Sequence, residues 1–199
     1  MLKIAITGGA GSGKSVVTRM FQELGAAVLD ADEVAHAVVA AGAPAWRELR
    51  QTFGPEYFLE DGSLNRPAMA RLVFADPEAR RRLNAIVHPY VAKEIRERLE
   101  SLERRGAKLV LVEVPLLFEA GLQGGYDKVI VVDVDPGEQR QRLQTRDQRS
   151  AGEIEGIIAA QMPLKEKAAR ADYVVDNRGP LGETRAQVEK IWRDLQKAS

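Results

Sequence analysis

The chain is 199 residues long and 45% hydrophobic, and its 29 lysines and arginines balance 29 aspartates and glutamates to a formal net charge of zero. That length suits one domain of about 100 to 200 residues with a small insertion, and the charge balance excludes a whole-molecule field drawing nucleic acid or anionic membrane, so any anion site is local. Cysteine is absent, which excludes disulfides, thiolate metal sites and thiol catalysis.

The amino terminus lacks the basic start and apolar stretch of a signal peptide, and no apolar run approaches the roughly 18 residues of a membrane span, so a cytoplasmic protein is expected. The first element, KIAIT (3–7), is a short apolar strand that runs into GGAGSGKSVV (8–17) and then into helix-patterned sequence. Gly8, Gly13, Lys14 and Ser15 fill the fixed positions of GxxxxGK[ST], a coincidence on the order of once in a hundred chains of this length. Glycines let successive N–H groups turn inward around phosphate oxygens, and the following helix offers its positive end. The backbone from Gly9 through Ala10, Gly11, Ser12 and Gly13 to Val16 is therefore expected to hold nucleotide phosphates. Lys14 is expected to bridge the β- and γ-phosphates, and the Ser15 hydroxyl to ligate Mg²⁺.

The second strand, AAVLD (26–30), ends at the edge where a parallel sheet opens onto its ligand crevice. Asp30 and Asp32 would share one side if both were extended. Asp32 either caps a helix beginning at Glu33 or, beside a phosphate loop, orients a hydroxyl nucleophile as its base; Asp30 is the weaker candidate. Residues 34–107 then break the strand–helix rhythm and read as a helical insertion, with turns at Gly42 to Pro44, Gly54–Pro55 and Asp61–Gly62, and a capped start at Asp76–Pro77. Pro89 in VHPYV is expected to interrupt the last of these helices. Arg66 before Pro67 binds an anionic substrate or merely flanks a helix start; His88 faces a ligand or is a satisfied interhelical histidine. The residues alone favour the plainer option for both.

KLVLVEV (108–114) is the third strand, and Glu113 near its end stands where an acidic side chain helps hold Mg²⁺ through water, or simply faces solvent. After the fourth strand, KVIVVDV (128–134), a helix carries Arg140, Arg142, Arg146 and Arg149; the last three fall within about 60° of arc and precede the polar DQRSAGE, as a hinged cationic lid at about 140–160 would. YVVD (173–176) is the fifth strand. Asn177, Arg178 and Gly179 follow it where a nucleotide base would lie, although a plain turn would look the same. LGETRAQVEKIWRDLQK closes the chain as a helix.

Five apolar strands alternating with helices define an α/β fold of three layers around a five-stranded parallel sheet. The core comprises 1–33 and 108–199, with 34–107 as the insertion. Neither a guanine-reading NKxD nor an LSGGQ-like transporter signature is present, which leaves a small-molecule kinase as the best fit. Another metabolite kinase and a nucleotide-sensing regulator are the alternatives.

Taken together, ITGGAGSGKS, VLDADEVA, GSLNRPAMARLVF, LNAIVHPYV, VEVPLLFEAGL, RLQTRD and AAQMPLKEKAARADYVVDN resemble the dephospho-CoA kinase family in order and over nearly the whole chain. The resemblance implies a P-loop NTPase fold and ATP- and Mg²⁺-dependent phosphorylation of the ribose 3′-hydroxyl of dephospho-CoA, the last step of coenzyme A synthesis. It makes Asp32 the catalytic aspartate and lays ATP along Gly11 to Val16. It places Arg66 and His88 in the substrate domain, Pro115, Leu116 and Leu117 along the acceptor pocket, and Arg142 and Arg146 in the lid. The partner is then a small molecule, with no nucleic acid and no membrane, and the protein a monomer or small homo-oligomer. Ala10 departs from the bulkier aliphatic residue common in the family's loop, Val16 stands where threonine is frequent, and Gly156 and Ile157 occupy a stretch where the family often has an arginine.

Overall fold

A computed structural model describes residues 1–147 and 150–197, with the backbone alone at Arg146 and Asp147. Its strands are the five apolar runs: β1 (Leu2–Gly8), β2 (Ala27–Asp30), β3 (Leu109–Glu113), β4 (Lys128–Asp133) and β5 (Tyr173–Asp176). They pair in parallel in the order β2-β3-β1-β4-β5, as expected for strands without polar alternation that must be covered on both faces. The register aligns Asp30 with Glu113, Ile6 with Glu113, Gly8 with Val132 and Asp133 with Asp176. The carboxyl ends thus form one edge, and the loop after the central β1 emerges in its middle, at the crevice such sheets use for ligands.

One face of the sheet, including Ile4, Ile6, Leu111, Ile130 and Val132, packs on helix α1 (Lys14–Glu23) through Val17, Met20 and Phe21. The closing helix, numbered α9 in chain order (Leu181–Lys197), adds Val188, Ile191 and Leu195 to the same core. Both stripes follow the three- and four-residue spacing of a one-faced helix. The alternate residues Ala5, Val129 and Val131 are equally buried, and α8 (Leu164–Ala169) packs against β4. Preceding it are α6 (Pro136–Asp147) and α7 (Ala151–Ala159), the latter started by a capping box between Ser150 and Glu153.

The chain divides into two compact units, residues 1–30 with 102–199, and residues 31–101. These limits lie a few residues before those read from sequence and put Asp32 in the second unit. That unit contains α2 (Ala31–Val38), α3 (Pro44–Phe53), α4 (Arg66–Ala75) and most of α5 (Pro77–Arg104). It has its own core of Val39, Ala45, Leu49, Phe53, Met69 and Ala79. The Trp46 indole closes the Asp61–Gly62 turn by donating to the Gly62 carbonyl at 2.6 Å.

Two local expectations are corrected. Helix α5 does not end at Pro89; it is continuous over 28 residues with the proline inside. A proline removes one backbone bond and crowds one carbonyl, but long runs of helix on both sides sustain propagation through a single defect. Helix α2 begins at Ala31, directly after β2, so Asp32 is neither an extended neighbour of Asp30 nor a cap before Glu33. It lies within the first helical turn, where a carboxylate meets the positive end of the helix.

Candidate active site

The phosphate loop is shaped by what presses on it. Gly13 opens α1 with φ 90°, a left-handed conformation costly for other residues, and any Cβ there would run into the Asn177 carboxamide. At Gly9 a Cβ would stand 2.5 Å from Gln139 Nε2. That close approach lets Gln139 Nε2 donate to the Ala10 carbonyl at 2.8 Å, while the Ala10 N–H donates to Gln161 Oε1 at 3.0 Å. The Ser12 N–H donates back to the Gly9 carbonyl at 3.2 Å.

One cavity opens beside this loop. A cavity of about 710 Å³ is lined by Gly11, Gly13, Lys14, Ser15, Val16, Gln141, Arg142 and Thr145, a size suited to a small ligand. Gly9, Ala10 and Ser12 do not line it: Gly9 faces Gln139, the Ala10 amide is committed to Gln161, and Ser12 is fully buried. Their part is to hold the loop's shape. Lys14 Nζ donates to the Gly9 carbonyl at 3.0 Å, which lays its side chain along the loop.

Arg142 reaches the loop from α6. Its guanidinium donates to the Asn177 carbonyl and to Glu138, each at 3.1 Å, and approaches the Ser12 carbonyl at 3.5 Å. Arg140 points elsewhere, paired with Glu155 of α7. The side chain of Arg146 and all of Arg149 lie outside the described residues, so of the expected arginine stripe Arg142 alone has a described place. Asn177 is 4% exposed; its carboxamide donates to the Ser12 carbonyl at 2.8 Å and accepts from Thr184 at 3.1 Å. Its side chain thus braces the loop. Glu113 is buried at the end of β3 and accepts a 3.1 Å hydrogen bond from Thr18 of α1, one turn beyond Ser15.

The loop after β3 carries the expected acceptor-side residues. Pro115 is half-buried and Leu116 is 48% exposed, while Leu117 is fully buried beneath them. The Pro115 carbonyl accepts from Thr7 at 3.2 Å and from Lys167 Nζ at 3.3 Å. Lys167, on α8, is completely buried and forms a 2.8 Å ion pair with Glu119. Burial pushes the Glu119 carboxyl upward, but hydrogen bonds from Lys167 and the Met162 N–H outweigh it and hold the group below its ordinary range.

In the second unit Asp32 is exposed in the first turn of α2, and Arg66 is exposed at the start of α4, whose Asn65 cap accepts from the Ala68 N–H. His88 is exposed on α5 beside Pro89, not sequestered between helices. Sequence reasoning gave no role to Gln139, Gln141, Thr145, Gln161, Glu119 or Lys167. The only signal was spacing: Gln141 and Thr145 are four apart on α6, as are Glu138 and Arg142, and so share faces of one helix.

A parallel α/β sheet with a glycine loop wrapped on a helix start, and a lysine and an arginine at one cavity, defines a P-loop nucleotide-binding protein of the kinase type. The dephospho-CoA kinase family profile matches residues 2–183. The chain is 50% identical over 190 residues to a dephospho-CoA kinase of Symbiobacterium thermophilum, covering 96% of this chain and 80% of that protein. The crystal structure of the Thermus thermophilus protein TT1252 superposes with a TM-score of 0.88 at 38% identity, over 100% of this chain and 98% of the other. A Campylobacter jejuni dephospho-CoA kinase shares the fold, with a TM-score of 0.74 at 24% identity and 98% of each chain covered. The chain belongs to the dephospho-CoA kinase family.

Proposed function

We propose that the protein transfers the γ-phosphoryl group of ATP to the ribose 3′-hydroxyl of dephospho-CoA, yielding coenzyme A and ADP. Family membership over nearly the whole chain supports the reaction, and the observation that carries the donor half is the cavity lined by Gly11, Gly13, Lys14, Ser15 and Arg142. Phosphoryl transfer asks little covalent chemistry of a protein; positioning and charge stabilisation do most of the work.

The amides at the start of α1 receive the phosphates, the helix end adds its positive potential, and the Lys14 ammonium swings from the Gly9 carbonyl to the phosphate oxygens. Arg142, fixed by Asn177 and Glu138, places a second cation over the same cavity. Hard oxygen donors suit Mg²⁺, and the Ser15 hydroxyl with the Glu113 carboxylate, directly or through water, form a fitting set beside phosphates. When bound, the ion neutralises charge on the phosphate oxygens. Asp32 accepts the 3′-hydroxyl proton and aims that oxygen in line with the leaving ADP. Arg66 and His88 hold the anionic and polar parts of the acceptor, with Pro115 and Leu116 against its apolar part, and Arg146 joins Arg142 in the lid. The balanced charge suits a small-molecule substrate and no nucleic acid. Among the described residues no helix is long and apolar enough to cross a membrane. We place the enzyme in the cytoplasm, as a monomer or small homo-oligomer.

An ADP-release assay across a panel of hydroxyl acceptors tests this reading. Turnover specific to dephospho-CoA is expected. Equal turnover with unrelated alcohols, or none with any acceptor from folded protein that binds ATP, contradicts it.

A further inference from the structure

We infer that the segment from Gln161 to Lys167 is a brace that sets the spacing between the phosphate loop and the loop after β3, with Lys167 as its main positioning residue. Both ends of the segment are anchored. At one end Gln161 Oε1 accepts the Ala10 N–H at 3.0 Å, and Gln139 holds the other side of that peptide. Next to it the Met162 N–H donates to Glu119 Oε1 at 2.8 Å. At the far end the Lys167 ammonium pairs with the same Glu119 oxygen at 2.8 Å and donates to the Pro115 carbonyl at 3.3 Å. Thr7, the residue before Gly8, donates to that carbonyl at 3.2 Å, so β1, the phosphate loop and the Pro115–Glu119 loop share one network.

The choice of lysine is informative. A fully buried ammonium is costly unless paired and hydrogen-bonded, and an aliphatic side chain of similar length would fill the space without that cost. What an ion pair adds is direction: it fixes where the Glu119 carboxylate and the Pro115 carbonyl stand, where apolar packing would leave the loop free to slide. Lys167 is not among the cavity-lining residues, so it acts through the loop it holds. The inference rests on the reading above that Pro115 and Leu116 meet the acceptor.

The test pairs Lys167→Met with Glu119→Gln and reads two independent signals. The first is amide hydrogen exchange without ligand, at Ala10, whose N–H donates to Gln161 Oε1, and at Ala120 to Leu122, whose N–H groups bond within their own loop. The second is steady-state kinetics with ATP and dephospho-CoA. In Lys167→Met, exchange at both loops is expected to rise at least tenfold, with KM for dephospho-CoA up at least fivefold and kcat lowered. The Kd for ATP should stay within threefold, because Asn177, Arg142 and Gln139 still hold the phosphate loop. If Lys167→Met fails to fold, Glu119→Gln, which keeps volume and removes charge, is expected to show the same pattern at about twofold to fivefold. Exchange increases confined to residues 162–170, or faster loops with unchanged KM and kcat, overturn the inference. A wild-type protein inactive toward dephospho-CoA defeats the kinase reading, and the exchange pattern then decides the brace alone.

Discussion

The two compact units hold their candidate functional side chains in opposite ways. In the sheet unit the phosphate loop is gripped by residues far away in sequence, Gln139, Gln161, Arg142 and Asn177, and Gly9 and Gly13 stand where the Gln139 and Asn177 side chains pass. In the helical unit Asp32 and Arg66 are exposed in the first turns of α2 and α4, and His88 is exposed along α5, while the buried residues form a separate apolar core. The difference separates two kinds of residue. On the proposed function, changes in the first unit are expected to disturb a prebuilt shape as well as chemistry, and changes at exposed helix starts to alter chemistry with little cost in stability.

The sharpest test of that contrast is Asp32→Asn. It is expected to lower kcat by about 10² to 10⁴ while thermal stability and ATP affinity stay close to wild type; a fall in melting temperature comparable to a core substitution would break the comparison. Next, Lys14→Ala should reduce kcat/KM by roughly 10² to 10³, as loss of one charge-stabilising donor does, with calorimetry showing weakened ATP binding. Asn177→Leu is third and should affect both properties. It leaves the Ser12 carbonyl and the buried Thr184 hydroxyl short of partners, at about 1–3 kcal/mol each, and measurably raises the Kd for ATP.

The smallest effect is with pH. Glu119 is held low by Lys167 and Met162 against the upward push of burial, and Asp172 by Lys128 and Val129 against the same push. Groups depressed in the folded state contribute stability above their unfolded pKa values and lose it as pH falls through the folded ones. Melting temperature should therefore hold from neutrality down to about pH 5 and decline below the ordinary values of 4.5 for Glu119 and 3.8 for Asp172. The decline should be shallower in Lys167→Met, since that variant has already lost the bond that depresses Glu119.

The five strands could be read in advance because burial on both faces leaves an unbroken apolar run, and the phosphate loop because its glycines, lysine and serine are fixed by local geometry. Their limits moved by at most about one residue, as at Leu2 and Leu109. Pro89 misled because a proline's local preference is weaker than propagation of a long helix, and Asp32 because a strand passed into a helix without an intervening turn. Gln161 and Lys167 were invisible for another reason. Their partners, Ala10 and Glu119, are 151 and 48 positions away, and only the folded sheet brings them together. The loop's own residues were legible because their pattern is local, and the contacts that hold the loop were illegible because they join distant parts of the chain.

The most direct measurement is phosphorus NMR of the product formed from ATP, Mg²⁺ and dephospho-CoA. The expected result is one 3′-phosphomonoester per ADP released, absent when Asp32→Asn replaces the wild type under matched conditions. ADP released without a new 3′-phosphate, or a phosphate at another position of the acceptor, would contradict the account.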